Sequence, residues 1–100
     1  MKDNQSLLDV DRIIHEPARL LIMTILSLAE KADFLFLLNE TKMTKGNLST
    51  HLSKLESAGY VEIEKTYRGK VPQTLCSLTP TGLDAFEKYR KQINQFLKRT

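Results

Sequence analysis

The chain has 100 residues, 41% hydrophobic and 27% charged, which allows one compact domain and excludes a disordered tract or a collagen-like repeat. A single cysteine, Cys76, rules out an intrachain disulfide and a paired-cysteine metal site, and fits a reducing compartment. The net charge of +3 is unevenly placed: residues 1–41 hold four Lys/Arg against seven Asp/Glu (−3), residues 42–70 six against three (+3), and residues 71–100 five against two (+3). Such asymmetry suits a polyanionic partner, and equally a solvated face. The opening MKDNQSLLDVDR is interrupted by aspartate too early for a signal peptide, and the apolar stretch 17–29 is too short to span a bilayer, so a cytoplasmic location is expected.

Leu7, Val10, Ile13 and Ile14 recur at helical spacing and predict a first short helix ending near Glu16, since the residue before a proline avoids helical geometry. Pro17 then opens a second helix in which Ala18, Leu21, Ile22, Ile25, Leu26, Leu28 and Ala29 give an apolar surface wide enough for a central, buried position. Asp33 is placed to cap a third helix carrying Phe34, Leu37 and Leu38. Thr41, Lys42 and Met43 are a tight connection to the next segment, and two short helices joined this way make a helix-turn-helix.

Thr44 is the natural N-cap of the following helix, 44–58, and Leu48, Leu52 and Leu55 form its inward stripe. Gly46, Asn47, Thr50, Ser53, Lys54 and Ser57 fall opposite, with Ser49 and His51 on the flanks. Gly59 ends the helix. Residues 60–67 alternate, Val61 and Ile63 against Glu62 and Glu64, and pair with 71–78 across Arg68, Gly69 and Lys70 as a hairpin with a basic tip. Pro72 places its missing amide on an open edge. Thr79 and Pro80 begin a last helix whose Leu83, Phe86, Ile93 and Leu97 recur every 3.5 residues or so, with Arg90 interrupting the stripe.

The stretches EPARLLIM (16–23), TKGNLSTHLSKLESAGYVEIEK (44–65) and LTPTGLDAF (78–86) resemble compact winged helix-turn-helix DNA-binding regulators of the MarR/ArsR-like type. The resemblance implies an α+β, mainly helical fold: one domain over 1–100, with a three-helix core, helix-turn-helix and β-hairpin wing within 7–79, and a C-terminal dimerisation helix over 80–99. It also implies a sequence-specific transcriptional regulator, with helix 44–58 in the DNA major groove, the wing 61–78 on flanking backbone, and terminal helices pairing two subunits.

The residue chemistry suits those roles. Short polar side chains allow close backbone approach, Asn47 offers a donor and an acceptor to adenine, and Lys45, Ser49, Thr50, Ser53 and Lys54 suit phosphates or base edges, with Gly46 giving room. Lys65, Arg68 and Lys70 would serve the wing. Leu7, Val10, Ile14, Leu83, Phe86, Tyr89, Ile93, Phe96 and Leu97 are the expected interface of a homodimer, which would read double-stranded DNA as an inverted repeat. His51, at the edge of the leucine stripe, reads as a packed, hydrogen-bonded histidine. Cys76 reads as a small buried hydrophobe, Tyr60 as packed at the base of the wing, and Phe36 as an exposed contact residue. The two histidines have no cysteine or carboxylate cluster at ligand spacing, so no metal or cofactor is expected. No nucleophile with a neighbouring base, paired carboxylate or phosphate-binding glycine loop suggests an enzyme. The alternative is a winged-helix module binding protein or RNA. No effector pocket is legible in the chain, and ligand control stays open.

Overall fold

The computed structural model describes residues 8–98. Leu7 lies outside them, and over 9–16 turns and bends stand where a helix was expected. The cause is Asp11, whose carboxylate accepts hydrogen bonds from the Ile13 and Ile14 amides at 2.8 and 3.3 Å and so offers the backbone an alternative to helical pairing. Val10 and Ile14 still reach the core, at 7% and 0% exposure.

Glu16 and Pro17 together start α1 (Pro17–Ser27): the Glu16 side chain accepts from the Arg19 amide, and proline forfeits no intrahelical bond at the first position. Ile22, Met23 and Leu26 are buried, whereas Leu21 and Leu28 are exposed, so α1 is covered on one side rather than all round. A two-residue strand absent from the sequence expectation follows, β1 (Ala32–Asp33). It pairs antiparallel with Cys76 and Leu75, so the wing belongs to a three-stranded sheet of order β1-β3-β2. Asp33 caps α2 (Phe34–Thr41) as expected, accepting from the Leu35 amide at 2.7 Å. Its carboxyl lies below the usual range because Gln73 and then that amide bond to the ionised form.

The connection to α3 (Lys45–Ser57) turns on Lys42, whose backbone is left-handed (φ 60°) where glycine would be unstrained. Leu48, Leu52 and Leu55, at 0–2% exposure, anchor α3 on the core, each contributing roughly 2–3 kcal/mol by burial. At its C-terminus the Gly59 amide donates to the Glu56 carbonyl and the Tyr60 amide to Leu55, a Schellman closure made possible by φ 81° at Gly59.

β2 (Val61–Arg68) and β3 (Val71–Leu78) pair in register from Val61↔Leu78 to Arg68↔Val71. The loop is therefore two residues, Gly69-Lys70, not three. Positive φ at Gly69 alone is the pattern of a type II′ turn, whose twist matches the flanking strands. Because Arg68 and Val71 close that turn as a hydrogen-bonded pair, Pro72 directs its nitrogen away from β2, beyond the reach of β1. Finally α4 (Pro80–Leu97) is capped by Thr79, whose hydroxyl accepts from the Gly82 amide at 2.9 Å. Gly82, Phe86 and Tyr89 bury its first half, and His15 Nδ1 meets the Tyr89 hydroxyl at 2.7 Å. Among the described residues no helix is long and apolar enough to cross a membrane.

Candidate nucleic-acid interface

The site is built on α3, because one helix carries both the buried leucine stripe and the polar face opposite it. Lys45, Gly46, Asn47, Ser49, Thr50, Ser53 and Lys54 are all exposed. Thr44 Oγ1 accepts from the Asn47 amide at 3.1 Å, leaving the amides of the first turn at the positive end of the helix dipole.

Strand alternation decides what the wing contributes. Lys65 shares its face with Val61 and Ile63, turned toward α3, while Glu62 and Glu64 lie on the other face. There Lys31 Nζ meets Glu64 Oε1 at 2.9 Å, and that bond raises the lysine's pKa. The wing thus turns its acidic residues away from α3. A cleft of about 670 Å³ separates the two elements, floored by Phe34, Leu52 and Ile63 and edged by Ser49, Ser53 and Lys65, with Glu56 at one end. Arg68 and Lys70 stand exposed at the tip, beside exposed Tyr67 and Val71.

The other flank of α3 meets α1. Arg19 is buried (9%) yet fully engaged: Nε donates to the Ile13 carbonyl at 2.6 Å, Nη2 to Arg12 at 3.5 Å, and Nη1 to His51 Nδ1 at 3.2 Å. Glu16 Oε1 lies 3.9 Å from the same His51 nitrogen. Burial works against the Glu16 carboxylate, but the hydrogen bond from the Arg19 amide leads the opposing effects, and its pKa falls below the usual value.

The family model of the winged helix DNA-binding domain matches residues 18–97. The chain belongs to that family. An uncharacterised Methanocaldococcus jannaschii protein is 35% identical over 88 residues, which is 87% of this chain and 95% of that one. The solved structure of a transcriptional regulator homologue from Pyrococcus horikoshii OT3 superposes with a TM-score of 0.89 at 26% identity, covering 98% of this chain and 96% of that one. Bacillus subtilis PadR, solved in complex with operator DNA, shares the fold with a TM-score of 0.57 at 18% identity, over 71% of this chain and 47% of that one. The winged helix-turn-helix resemblance read from the sequence therefore holds.

Within this winged-helix frame, all ten residues singled out for DNA stand on the surface: seven on α3 or its first turn, and Lys65, Arg68 and Lys70 on the wing. The residues singled out for dimerisation divide. Val10, Ile14, Phe86 and Tyr89 are packed inside the protomer's own core at 0–7% exposure, which leaves little of them for a second copy. Leu83, in the first turn of α4, and Leu97, at its end, are exposed, and Ile93 and Phe96, on its later turns, are half-buried. Sequence reasoning missed Arg19 altogether, because its partners at positions 12, 13 and 51 are brought to it only by the fold; the one signal was an arginine on an otherwise apolar helix face. His51 is hydrogen-bonded as expected. Cys76 is fully buried, and burial, with Asp33 and Glu56 nearby, pushes its thiol up to about 11.

Proposed function

We propose that the chain is a sequence-specific, double-stranded-DNA-binding transcriptional regulator that acts as a homodimer. In this reading α3 enters the major groove and the wing lies on flanking backbone. One observation carries it: α3 is anchored by three buried leucines while its whole opposite face, Asn47 through Lys54, is left uncovered and composed of small polar and cationic side chains. A helix of 13 residues is about 20 Å long and narrow enough, with such side chains, for a groove about 12 Å wide. Asn47 would read adenine, Thr50 and Ser53 base edges or phosphate, and the free amides at the start of α3 a phosphate. Lys45, Lys54, Lys65, Arg68 and Lys70 would neutralise backbone charge.

The homodimer reading rests on α4. Its Leu83, Ile93, Phe96 and Leu97 remain exposed or half-buried, and a groove between α1 and α4 is lined by Leu20, Leu28 and Leu83 together with the polar Thr24, Glu87 and Arg90. A symmetric pair of protomers would set two copies of α3 about 34 Å apart on one side of DNA.

Selection of bound sequences from a random duplex pool tests both parts together. The expected product is an inverted repeat with half-sites one helical turn apart. Recovery of no preferred sequence, with binding insensitive to salt, would favour a protein- or RNA-binding module instead.

A further inference from the structure

We infer that His51 donates a hydrogen bond to a DNA backbone phosphate, with Arg19 as the positioning residue that fixes its tautomer; this rests on the DNA-binding reading above. A guanidinium only donates hydrogen bonds. The 3.2 Å contact from Arg19 Nη1 therefore makes His51 Nδ1 the acceptor and leaves the ring proton on Nε2. Arg19 has no freedom to reverse this, because the Ile13 and Arg12 carbonyls hold its other nitrogens in a buried position.

The far edge of the ring keeps some contact with solvent. Nε2 has no hydrogen-bond partner among the described residues, yet no buried side-chain nitrogen or oxygen among them lacks one. Nε2–H is thus a donor within reach of solvent, on a ring 21% exposed whose other nitrogen is tied down. His51 follows Asn47 by four residues and precedes Lys54 by three, so it lies on their side of α3, nearer the leucine stripe than either and away from the edge of Ser49 and Ser53 that faces the wing. When a helix lies in the major groove its outward centre meets base edges and its flanks meet the groove walls, which are phosphates. A fixed N–H on the flank supplies a bond of set direction on the side of α3 opposite the wing, where Lys54 supplies only a mobile charge. The two flanks together would fix the rotation of α3 in the groove.

Two substitutions separate donor from scaffold. His51→Asn keeps an acceptor near Nδ1 for Arg19 but its NH2 stops short of the Nε2 position, whereas His51→Gln places an amide N–H near Nε2. Binding is measured on a duplex taken from the random pool, with Asn47→Ala as the control. The expected result is that His51→Asn unfolds at the wild-type temperature but binds about tenfold more weakly, while His51→Gln recovers to within about threefold. The reverse order, or wild-type affinity in His51→Asn alongside weakened Asn47→Ala, overturns the inference and leaves the DNA-binding reading intact. Wild-type protein that does not bind duplex at all overturns both. A second measurement needs no variant: long-range proton–nitrogen correlation should show the His51 proton on Nε2 in the free protein and shift it on addition of duplex. A proton on Nδ1, or no shift, contradicts the assignment.

Discussion

Gly82 in α4 lies so close to the Tyr60 carbonyl that a Cβ built on it would fall 2.1 Å from that oxygen and 2.8 Å from the carbonyl carbon. The Thr79 amide also donates to this carbonyl, at 3.0 Å, so the start of α4, the end of α3 and the base of the wing are locked at one point. Backbone cannot yield as a flexible side chain can. Gly82→Ala should therefore cost about 2–3 kcal/mol and lower Tm by roughly 10–20 °C. Thermal unfolding followed by circular dichroism checks this, and a change of only a degree or two would refute the close packing.

Lys42 bears the opposite prediction. Its left-handed backbone ends α2 and sets the angle to α3, at a cost a residue without Cβ does not carry. Lys42→Gly should stabilise the fold by about 0.5–1 kcal/mol, raising the urea midpoint with an unchanged slope. A lower midpoint would mean that the Lys42 side chain makes a contribution the geometry does not suggest.

At high pH the critical group is Tyr60, whose hydroxyl donates to the Asp11 carboxylate. That bond, then burial, then the charge of Asp11 push its pKa from 10.0 to about 12. A folded pKa above the unfolded one means that the stabilisation is complete below about pH 10 and is lost as the pH rises toward 12. Tyr60→Phe should lack this alkaline step and be less stable at neutral pH by about 1–2 kcal/mol. Equal losses between pH 9 and 12 in both proteins would remove Tyr60 as the cause.

DNA binding should be strongly salt-dependent. If Lys45, Lys54, Lys65, Arg68 and Lys70 each neutralise one phosphate, the slope of log affinity against log salt is roughly −4 to −5 per protomer. Lys54→Ala or Arg68→Ala should weaken binding to all sequences and make the slope shallower by about one per protomer. An unchanged slope in both variants would place those charges off the DNA.

Much of this architecture was legible because its determinants are local. Asp33, Thr44 and Thr79 are polar caps that satisfy amides within three residues, and the Leu48, Leu52 and Leu55 stripe needs only helical periodicity. The ten exposed candidate residues follow from the same periodicity applied to the opposite face of α3 and from the hairpin alternation. What escaped depends on distant partners. β1 is two residues long and has no pattern of its own apart from its pairing with Cys76 and Leu75. Asp11 turned a helically spaced segment into turns by bonding amides that a helix would have used. The apolar residues of α4 share a face by spacing, but which of them its own core covers depends on parts of the chain far away in sequence, such as His15, which meets Tyr89 from 74 positions away.

The most direct test is to map backbone amide shifts by NMR as a selected duplex is added. Perturbations should concentrate on 45–57, with a second group at 65–70. Perturbations confined to α4 or to the Glu62 and Glu64 face of the wing, with α3 unaffected, would contradict the placement of α3 on DNA.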